Sequence, residues 1–288
     1  MRIRRARFVV AATALATLAI VPVPGARAAG DDRPVTEKDF SVGRFDFRSS
    51  HKVDNTFLPL APGLQYTLTG TTLAGKHEVV FTVTKVTKWV NHVRTLVLWD
   101  RDFQDGVLAE EELAFMAQDR DGNVWSLGEY PEEHADDGSI SAPRTWLHGK
   151  QGATAGVLMR EDPRPNTSSY LQGLAPAVEF IDQARVDKIN QKTCVPVGCF
   201  TGVLVVDEFD PNNQPQDGHQ FKFHAPGVGV VKIEGRGGVE QETLVLTKRR
   251  TLSPQELEAS NARALQLDRR AYRLARPVYA KTAFARIR

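Results

Sequence analysis

The segment HEVVFTVTKVTKWV, residues 77–90, predicts the fold class of this chain. Val79, Phe81 and Val83 recur at every second position, with polar or β-branched residues between them. A period of two with many β-branched residues is typical of a strand with one buried face. The segment therefore predicts a long strand whose apolar side faces a core.

Segments of the same type recur along the chain, with turn residues between them. They are LQYTLTG, RTLVLWD, VLAEEELAFMAQD, NVWSLGEY, GCFTGVLVVDEF, HQFKFHA, GVGVVKIEG and EQETLVLTKR. Short strands joined by hairpin turns predict an all-β fold: an antiparallel curved sheet, as a half-barrel, barrel or sandwich. Residues 143–177 are rich in Gly, Pro, Ser and Thr, and we expect long loops there that cover one mouth of the sheet.

The chain divides into four predicted parts. Residues 1–28 have a basic start, an apolar middle and a small-residue exit, which predicts a signal peptide cleaved after Ala28. A polar leader follows at 29–50, then an antiparallel β domain at 51–250 and a C-terminal helix with a basic tail at 251–288. We expect a secreted protein, periplasmic or extracellular, with no transmembrane segment in the mature chain.

The charge of the mature chain argues against a nucleic-acid partner. The whole sequence has 37 basic and 35 acidic residues. Removing the five arginines of residues 1–28 leaves 32 basic residues against 35 acidic ones, a net charge of −3. Binding to phosphate backbones usually requires a basic surface, so we expect no nucleic acid.

The two cysteines, Cys194 and Cys199, flank the short segment VPVG. In a chain exported to an oxidising compartment, this spacing favours a disulfide that closes a tight loop. A two-cysteine metal site and a redox pair are the alternatives. Because the loop is short, we expect the bridge to pin a turn rather than to hold the fold together.

The end of the chain predicts a helix from Pro254 to about Ala275. Ser253 is a suitable N-cap, and Glu256 three residues later completes a capping box. The helix carries a thin apolar stripe and many arginines. We expect it to pack on the β domain; the alternative is a helix that binds a protein partner.

The segment AQDRDGNVWSLGEY, residues 117–130, resembles the first half of a calcium loop. Val124 stands where such a loop needs glycine, and Tyr130 where it needs glutamate. A hairpin turned at Gly122 explains the same residues, so we expect a turn and no metal. The weak metal candidates are the acidic side chains of this turn and the preceding one, Asp100, Asp102, Asp105, Asp119 and Asp121, which would suit a calcium-dependent surface or adhesion protein.

The histidines show no metalloenzyme spacing, and nucleotide and serine-hydrolase motifs are lacking in the sequence. We therefore expect no cofactor and lean away from an enzyme. The alternative is a hydrolase or isomerase that uses His51 with Asp54, or the carboxylates Glu110 and Glu129, as acid and base.

Four motifs together resemble an uncharacterised family of exported bacterial proteins. They are VDNTFLPLAPGLQYTLTG, AQDRDGNVWSLGEY, VPVGCF and HAPGVGVVKIE, and they extend roughly from residue 51 to residue 246. The last two are also similar to periplasmic half-barrels of the lipoprotein-carrier kind. The resemblance implies an open β-barrel with an apolar cavity and a binding or carrier role, without catalytic residues to transfer. The chain departs from the pattern at Phe115-Met116 and at His224.

These observations lead to a secreted noncatalytic binding or carrier protein as the first hypothesis. Its ligand would be a hydrophobic or lipid-like small molecule held by aromatic side chains that repeat along one face of the sheet. The concave face would include Phe81 and Trp99. The predicted ligand-binding residues are Tyr66, Phe115, Gln118, Trp125, Trp146 and His224. The alternative for the aromatic residues is that they simply fill the core.

Overall fold

The computed structural model describes residues 33–212, 217–238 and 241–288. The predicted signal peptide and the first residues of the predicted leader lie outside these ranges. Strands account for 54% of the chain, which confirms the predicted all-β class.

The strands and helices follow one another in a simple order. The strands are β1 Val53–Asn55, β2 Leu58–Leu60, β3 Leu64–Thr72, β4 Gly75–Val90, β5 Val93–Gln104, β6 Val107–Gln118, β7 Val124–His134, β8 Ile140–Ser141, β9 Trp146–Leu147, β10 Thr154–Met159, β11 Tyr170–Ala175, β12 Phe180–Val195, β13 Gly198–Phe209, β14 His219–Ala225, β15 Gly229–Arg236, β16 Thr243–Thr251 and β17 Arg286–Ile287. The α-helices are α1 Pro254–Leu274 and α2 Arg276–Tyr279, and short 3-10 helices form at Glu37–Asp39, Val42–Arg44 and Pro176–Val178.

Twelve antiparallel strands close into a barrel. From β10 each strand pairs with the next as far as β16; β16 then pairs with β3, and β3 to β7 continue the ring until β7 pairs with β10. The expectation of long loops over residues 143–177 is wrong in part, because β10 and β11 lie there and complete the ring. Their side chains are largely buried between neighbouring strands, so burial outweighs the turn-rich composition of this stretch.

The strand register separates an outer from an inner face. Helix α1 packs on the face that carries Lys88 of β4, Glu111 of β6 and Glu132 of β7, so this face is the outer one. Successive residues of a strand point to opposite faces, and residues paired across strands point the same way. Tyr66 and Phe81, which stack in the ring with centroids 4.9 Å apart, therefore face the barrel interior.

The N-terminal hairpin, formed by β1 and β2, closes one end of the barrel. Its Leu58 and Leu60 are almost fully buried. The side chain of Gln118 at the end of β6 accepts hydrogen bonds from the backbone of β1, and the ring of His224 in β14 lies 3.1 Å from the carbonyl oxygen of Phe57. Strands β6 and β14 are six places apart in the ring of twelve, so the hairpin spans the whole end.

Helix α1 confirms the predicted C-terminal helix and its capping box. The Ser253 hydroxyl accepts from the backbone of Glu256, whose carboxylate accepts from the backbone of Ser253. The buried side of α1 lies on the barrel, as the packing hypothesis expects. Three ion pairs hold it there, Lys88 with Asp268, Glu111 with Arg263 and Glu132 with Arg270. A protein partner for this helix stays a prediction.

Two local predictions are confirmed by the hairpins. Cys194 and Cys199 form a disulfide across the end of the β12–β13 hairpin, where they are directly paired. The DRDGNV segment connects β6 to β7, and Gly122 has a φ of +91° that favours glycine.

Within the described residues, no helix combines the length and the hydropathy needed to cross a lipid bilayer.

Candidate functional site

Four carboxylates converge inside the barrel at the end opposite the N-terminal hairpin. Asp100 and Asp102 lie on β5, Glu110 and Glu112 on β6, and the register pairs Asp100 with Glu112 and Asp102 with Glu110. With Val79 they line a cavity of about 10 Å³. We call this group of four carboxylates and its cavity the acidic mouth. A cavity of this size holds one water molecule or a group of similar size.

His77 and Arg144 lie beside the carboxylates of the acidic mouth. The ring of His77 lies with Nε2 2.8 Å from Asp102 Oδ1, and its Nδ1 contacts Glu242. Burial opposes the charge on this ring, but the hydrogen bonds to the two carboxylates outweigh it and raise the pKa of His77 to about 10. On the other side, the Arg144 guanidinium contacts Glu110. These contacts fix the positions of the Asp102 and Glu110 carboxylates.

Gly70 makes the contact between His77 and Glu242 possible. In the register, Gly70 of β3 lies between His77 of β4 and Leu244 of β16. A Cβ at position 70 would lie 1.6 Å from the carbonyl oxygen of Thr243. Because glycine leaves this space free, β16 approaches β3 closely and the His77 ring reaches across to Glu242.

The Asp100 carboxyl group is buried and one of its oxygens lacks a hydrogen bond. The residue is only 8% exposed, and its Oδ1 has no hydrogen-bond partner among the described residues. Burial, followed by the charges of Asp102 and Glu110, raises the pKa of Asp100 to about 8. Buried carboxylate oxygens are nearly always hydrogen-bonded, so an orphaned oxygen that lines a cavity needs an explanation.

We expect the Asp100→Asn variant to be more stable than the wild type at pH 8, by on the order of 2 kcal/mol. The pKa of Asp100 is raised from 3.8 to about 8, so the folded state keeps a proton that the unfolded chain has lost. The stability that this proton provides is present below about pH 4 and is lost as the pH rises through 8. Asparagine cannot ionise and removes this loss.

Urea denaturation at intervals between pH 4 and pH 8 measures the effect. The two proteins should converge near pH 4 and diverge above it. The matched control is Asp162→Asn, since the Asp162 side chain is 61% exposed beyond the opposite end of β10. Parallel stability curves for wild type and Asp100→Asn would contradict the prediction.

The predicted acid-base residues do not form a common site. His51 is half-buried, and burial together with the charges of Arg94 and Arg288 lowers the pKa of His51 to about 4. Asp54 accepts a hydrogen bond from Gln118 instead of from His51. Glu110 lies in the acidic mouth, whereas Glu129 lies deeper along β7, where it accepts a hydrogen bond from Trp146.

The predicted ligand-binding aromatics do not share one face. Tyr66 faces the interior and is fully buried. Phe115 and Trp125 are also fully buried, but the register places them on the outer face, where Trp125 packs against Phe40 of the leader. Trp146 packs on Phe180 at a centroid distance of 5.3 Å.

The two polar residues predicted to bind ligand contact the N-terminal hairpin. Gln118 holds β1 through its side-chain amide. His224 contacts the carbonyl of Phe57, and burial with the nearby charge of Lys222 lowers the pKa of His224 to about 3. Both residues therefore fix the hairpin across the barrel end.

The weak metal candidates separate into three places. Asp100 and Asp102 line the acidic mouth. Asp105 accepts a hydrogen bond from the backbone of Lys76 at the start of β4. Asp119 and Asp121 both bind the guanidinium of Arg44, so the positive charge at the DRDGNV turn is an arginine of the leader.

A different group has ligand atoms spaced for a metal ion. One ligand atom each from Glu111, Glu132 and His134 lies within 4.8 Å of the others on the outer face. Arg263 and Arg270 of α1 pair with the two glutamates, and this pairing explains the cluster as the attachment of the helix.

The sequence did not predict the acidic mouth as one group. Asp100, Asp102 and Glu110 were candidates for separate roles, and Glu112 and His77 were not among the candidates. The spacing held a usable signal, because aspartates two residues apart and glutamates two residues apart each share a strand face. The β5–β6 turn then places the two pairs opposite each other.

Comparisons with known proteins add little to this geometry. No protein-family model and no curated protein matches the chain. A crystal structure described as "a putative lipoprotein" from Parabacteroides distasonis is similar to it at a TM-score of 0.39 and 10% sequence identity, covering 68% of this chain and 99% of that one. A similarity at this level supports no conclusion about function.

Proposed function

We propose that this chain is a noncatalytic binding protein whose small ligand occupies the acidic mouth of the barrel. The observation that carries the proposal is the orphaned Oδ1 of Asp100, a buried carboxylate oxygen that lines a cavity. Burying an ionisable group beside other acids lowers stability, and proteins tolerate such local costs mainly at functional sites.

The absence of an acid-base pair among the predicted candidates favours binding over catalysis. A general acid or base must lie within hydrogen-bond reach of its partner or substrate. His51 and Asp54 make no hydrogen bond to each other in the described residues, and Glu110 and Glu129 are engaged by Arg144 and Trp146. In the acidic mouth, both nitrogens of His77 contact carboxylates, which holds the ring as a structural cation.

Thermal shift with a panel of small cationic, neutral and anionic compounds tests the proposal. We expect at least one compound to raise the melting temperature of the wild type and to lose this effect in Asp100→Asn. Asp162→Asn should respond like the wild type, because its carboxylate lies away from the mouth. If every active compound stabilises Asp100→Asn as well as the wild type, the ligand does not occupy the acidic mouth.

A hydrophobic or lipid-like ligand is a second candidate, and the N-terminal hairpin is the observation that favours it. Leu58 and Leu60 fill the barrel end next to an apolar interior. Movement of the hairpin would open a route into this interior, where Tyr66 and Phe81 are fully buried.

A fluorescent fatty acid tests this second candidate. The double variant Leu58→Ser/Leu60→Ser should bind it more tightly than the wild type, because weaker hairpin packing favours opening. Both proteins should release the probe when oleate is added. Absence of saturable probe binding to either protein would exclude the apolar route.

A further inference from the structure

We propose that the C-terminal part of the chain docks on a membrane surface that contains anionic phospholipids. The docking surface consists of exposed arginines on α1, a pocket with a basic lining beside α2, and an exposed aromatic ring. The pocket shares no lining residue with the acidic mouth, so the inference does not depend on the proposed ligand site.

Positive charge is concentrated at the end of the chain. Residues 269–288 contain seven basic residues and no acidic residue, whereas residues 254–268 contain one basic and three acidic residues. The whole sequence has a net charge of only +2. The basic character is therefore a local property of the segment that forms the second half of α1, α2 and the terminus.

Four cations of this segment are exposed and available to a partner. Arg263 and Arg270 of α1 are already paired with glutamates of the barrel. Among the described residues, four others make neither an ion pair nor a side-chain hydrogen bond: Arg269, Arg273, Arg276 and Lys281. Arg269 and Arg273 are four residues apart on the face of α1 opposite its buried residues. This face presents two guanidinium groups to an anionic surface.

A pocket beside α2 brings together cations from two parts of the chain. It has a volume of about 530 Å³ and is lined by Lys150, Arg276, Pro277, Val278, Ala280 and Lys281. We call it the basic pocket. Lys150 lies in the turn between β9 and β10, and backbone hydrogen bonds to Leu147 and from Ala153 fix this turn. Since half of the lining residues are cationic and none is acidic, the pocket favours an anionic group.

The size and chemistry of the basic pocket suit a phospholipid headgroup. Lysine and arginine donate charge-assisted hydrogen bonds to phosphate oxygens. A volume of about 530 Å³ lies in the range of small-molecule sites and exceeds what a single inorganic ion fills. The apolar side chains between the cations, Pro277, Val278 and Ala280, would contact the uncharged part of the headgroup.

An exposed aromatic ring lies next to the cations and favours a lipid surface over a soluble polyanion. Phe284 is 57% exposed, and its ring packs on Tyr272 of α1 with the centroids 4.3 Å apart. A soluble polyanion would neutralise the cations but leave this ring in water. A bilayer offers phosphate groups at its surface and an apolar layer directly beneath them, which is the environment that basic and aromatic side chains share in interfacial segments.

The docking surface is held in place by the barrel. Tyr279 of α2 is fully buried and packs on Tyr130 of β7 with the ring centroids 5.4 Å apart. The backbone N–H of Ala285 donates to Asp268 of α1, and the Tyr272 hydroxyl contacts Thr282. Because these contacts order the segment, docking does not have to offset the entropy of folding it.

Co-sedimentation of the full chain with lipid vesicles tests the inference. We expect the wild type to bind vesicles of phosphatidylglycerol and phosphatidylcholine in equal amounts, and not to bind vesicles of phosphatidylcholine alone. Arg269→Gln/Arg273→Gln/Lys281→Gln should lower the partition coefficient about a hundredfold, because each cation removed near an anionic membrane lowers it about fivefold. Lys192→Gln is the matched control and should bind like the wild type, since Lys192 is exposed in the β12–β13 hairpin, away from the strands that α1 covers.

A second variant tests the apolar part of the contact. Phe284→Ser should lower the partition coefficient about tenfold, because the ring no longer leaves water. Its remaining binding should disappear when the sodium chloride concentration is raised, as expected for contacts between exposed charges. All substituted side chains are exposed, so thermal unfolding of each variant should match that of the wild type.

Three results would overturn the proposal. The first is equal binding of the wild type to the two kinds of vesicle, and the second is wild-type binding by the triple variant. The third is wild-type binding by Phe284→Ser, because charge alone does not distinguish a membrane from another anionic surface. If dextran sulfate binds the wild type and the vesicles do not, the partner is a soluble polyanion and the lipid surface is wrong.

Discussion

Replacing Gly70 with alanine is expected to lower the free energy of unfolding by about 3 kcal/mol or more. The new Cβ would lie 1.6 Å from the carbonyl oxygen of Thr243 and 2.7 Å from its carbonyl carbon. Both atoms belong to the backbone of β16, so no side-chain rotation relieves the clash. The strands β3 and β16 must separate where the two ends of the β domain close the ring.

The same change should disturb the acidic mouth. Separation of β16 from β3 moves Glu242 away from His77, and the ring then loses one of the two carboxylates that hold its charge. Urea denaturation monitored by tryptophan fluorescence measures the stability loss. Gly43→Ala is the matched control, because a Cβ there meets no atom within 4 Å, and it should change stability by less than about 0.5 kcal/mol. Equal effects of the two substitutions would contradict the close approach at the ring closure.

Replacing Asp268 with alanine is expected to cost about 3–5 kcal/mol. The Lys88 ammonium is fully buried between the barrel and α1, 2.8 Å from the Asp268 carboxylate. It also donates to the carbonyl oxygen of Ala283 at 2.8 Å and lies 4.5 Å from the ring centre of Tyr279. Without Asp268, the buried cation would be left with these neutral partners and the Tyr272 hydroxyl, 3.3 Å away, and burial already lowers the pKa of Lys88.

A double variant distinguishes loss of the ion pair from loss of packing. Lys88→Met/Asp268→Leu removes both charges and retains apolar volume, so we expect it to be more stable than Asp268→Ala alone. The backbone N–H of Ala285, which donates to Asp268, loses its acceptor in both variants and so cancels from the comparison. If the double variant is as unstable as Asp268→Ala, the packing of α1 matters more than the buried charge.

The fold was predictable wherever local pattern and tertiary burial agree. The alternation in residues 77–90 predicted β4, and the capping box at Ser253 and Glu256 predicted the start of α1, because both signals depend on neighbouring residues alone. The prediction failed in part for residues 143–177. The segment TAGVLM of β10 is too short and too small for a clear pattern, and it forms a strand because its neighbours β7 and β11 bury it.

The candidate site was predictable only in pieces. Asp100, Asp102 and Glu110 attracted attention as acidic residues near a turn, but their grouping requires the β5–β6 register. Whether the predicted aromatic side chains line one cavity depends on which face of each strand points into the barrel. The structure places Tyr66 inside and Phe115 and Trp125 outside, since β-bulges and the position of α1 decide the inner face.

The sequence by itself determined the β class, the hairpin at Gly122, the disulfide between Cys194 and Cys199 and the capped C-terminal helix. Each of these follows from backbone preferences or side chains a few residues apart. Only the tertiary structure decided that the sheet closes at Gly70, that the N-terminal hairpin covers one end, and that Asp100 lies buried with an unpaired oxygen at the other. These features depend on contacts between residues distant in the chain, where the space left by one backbone and the charges of other strands set the environment.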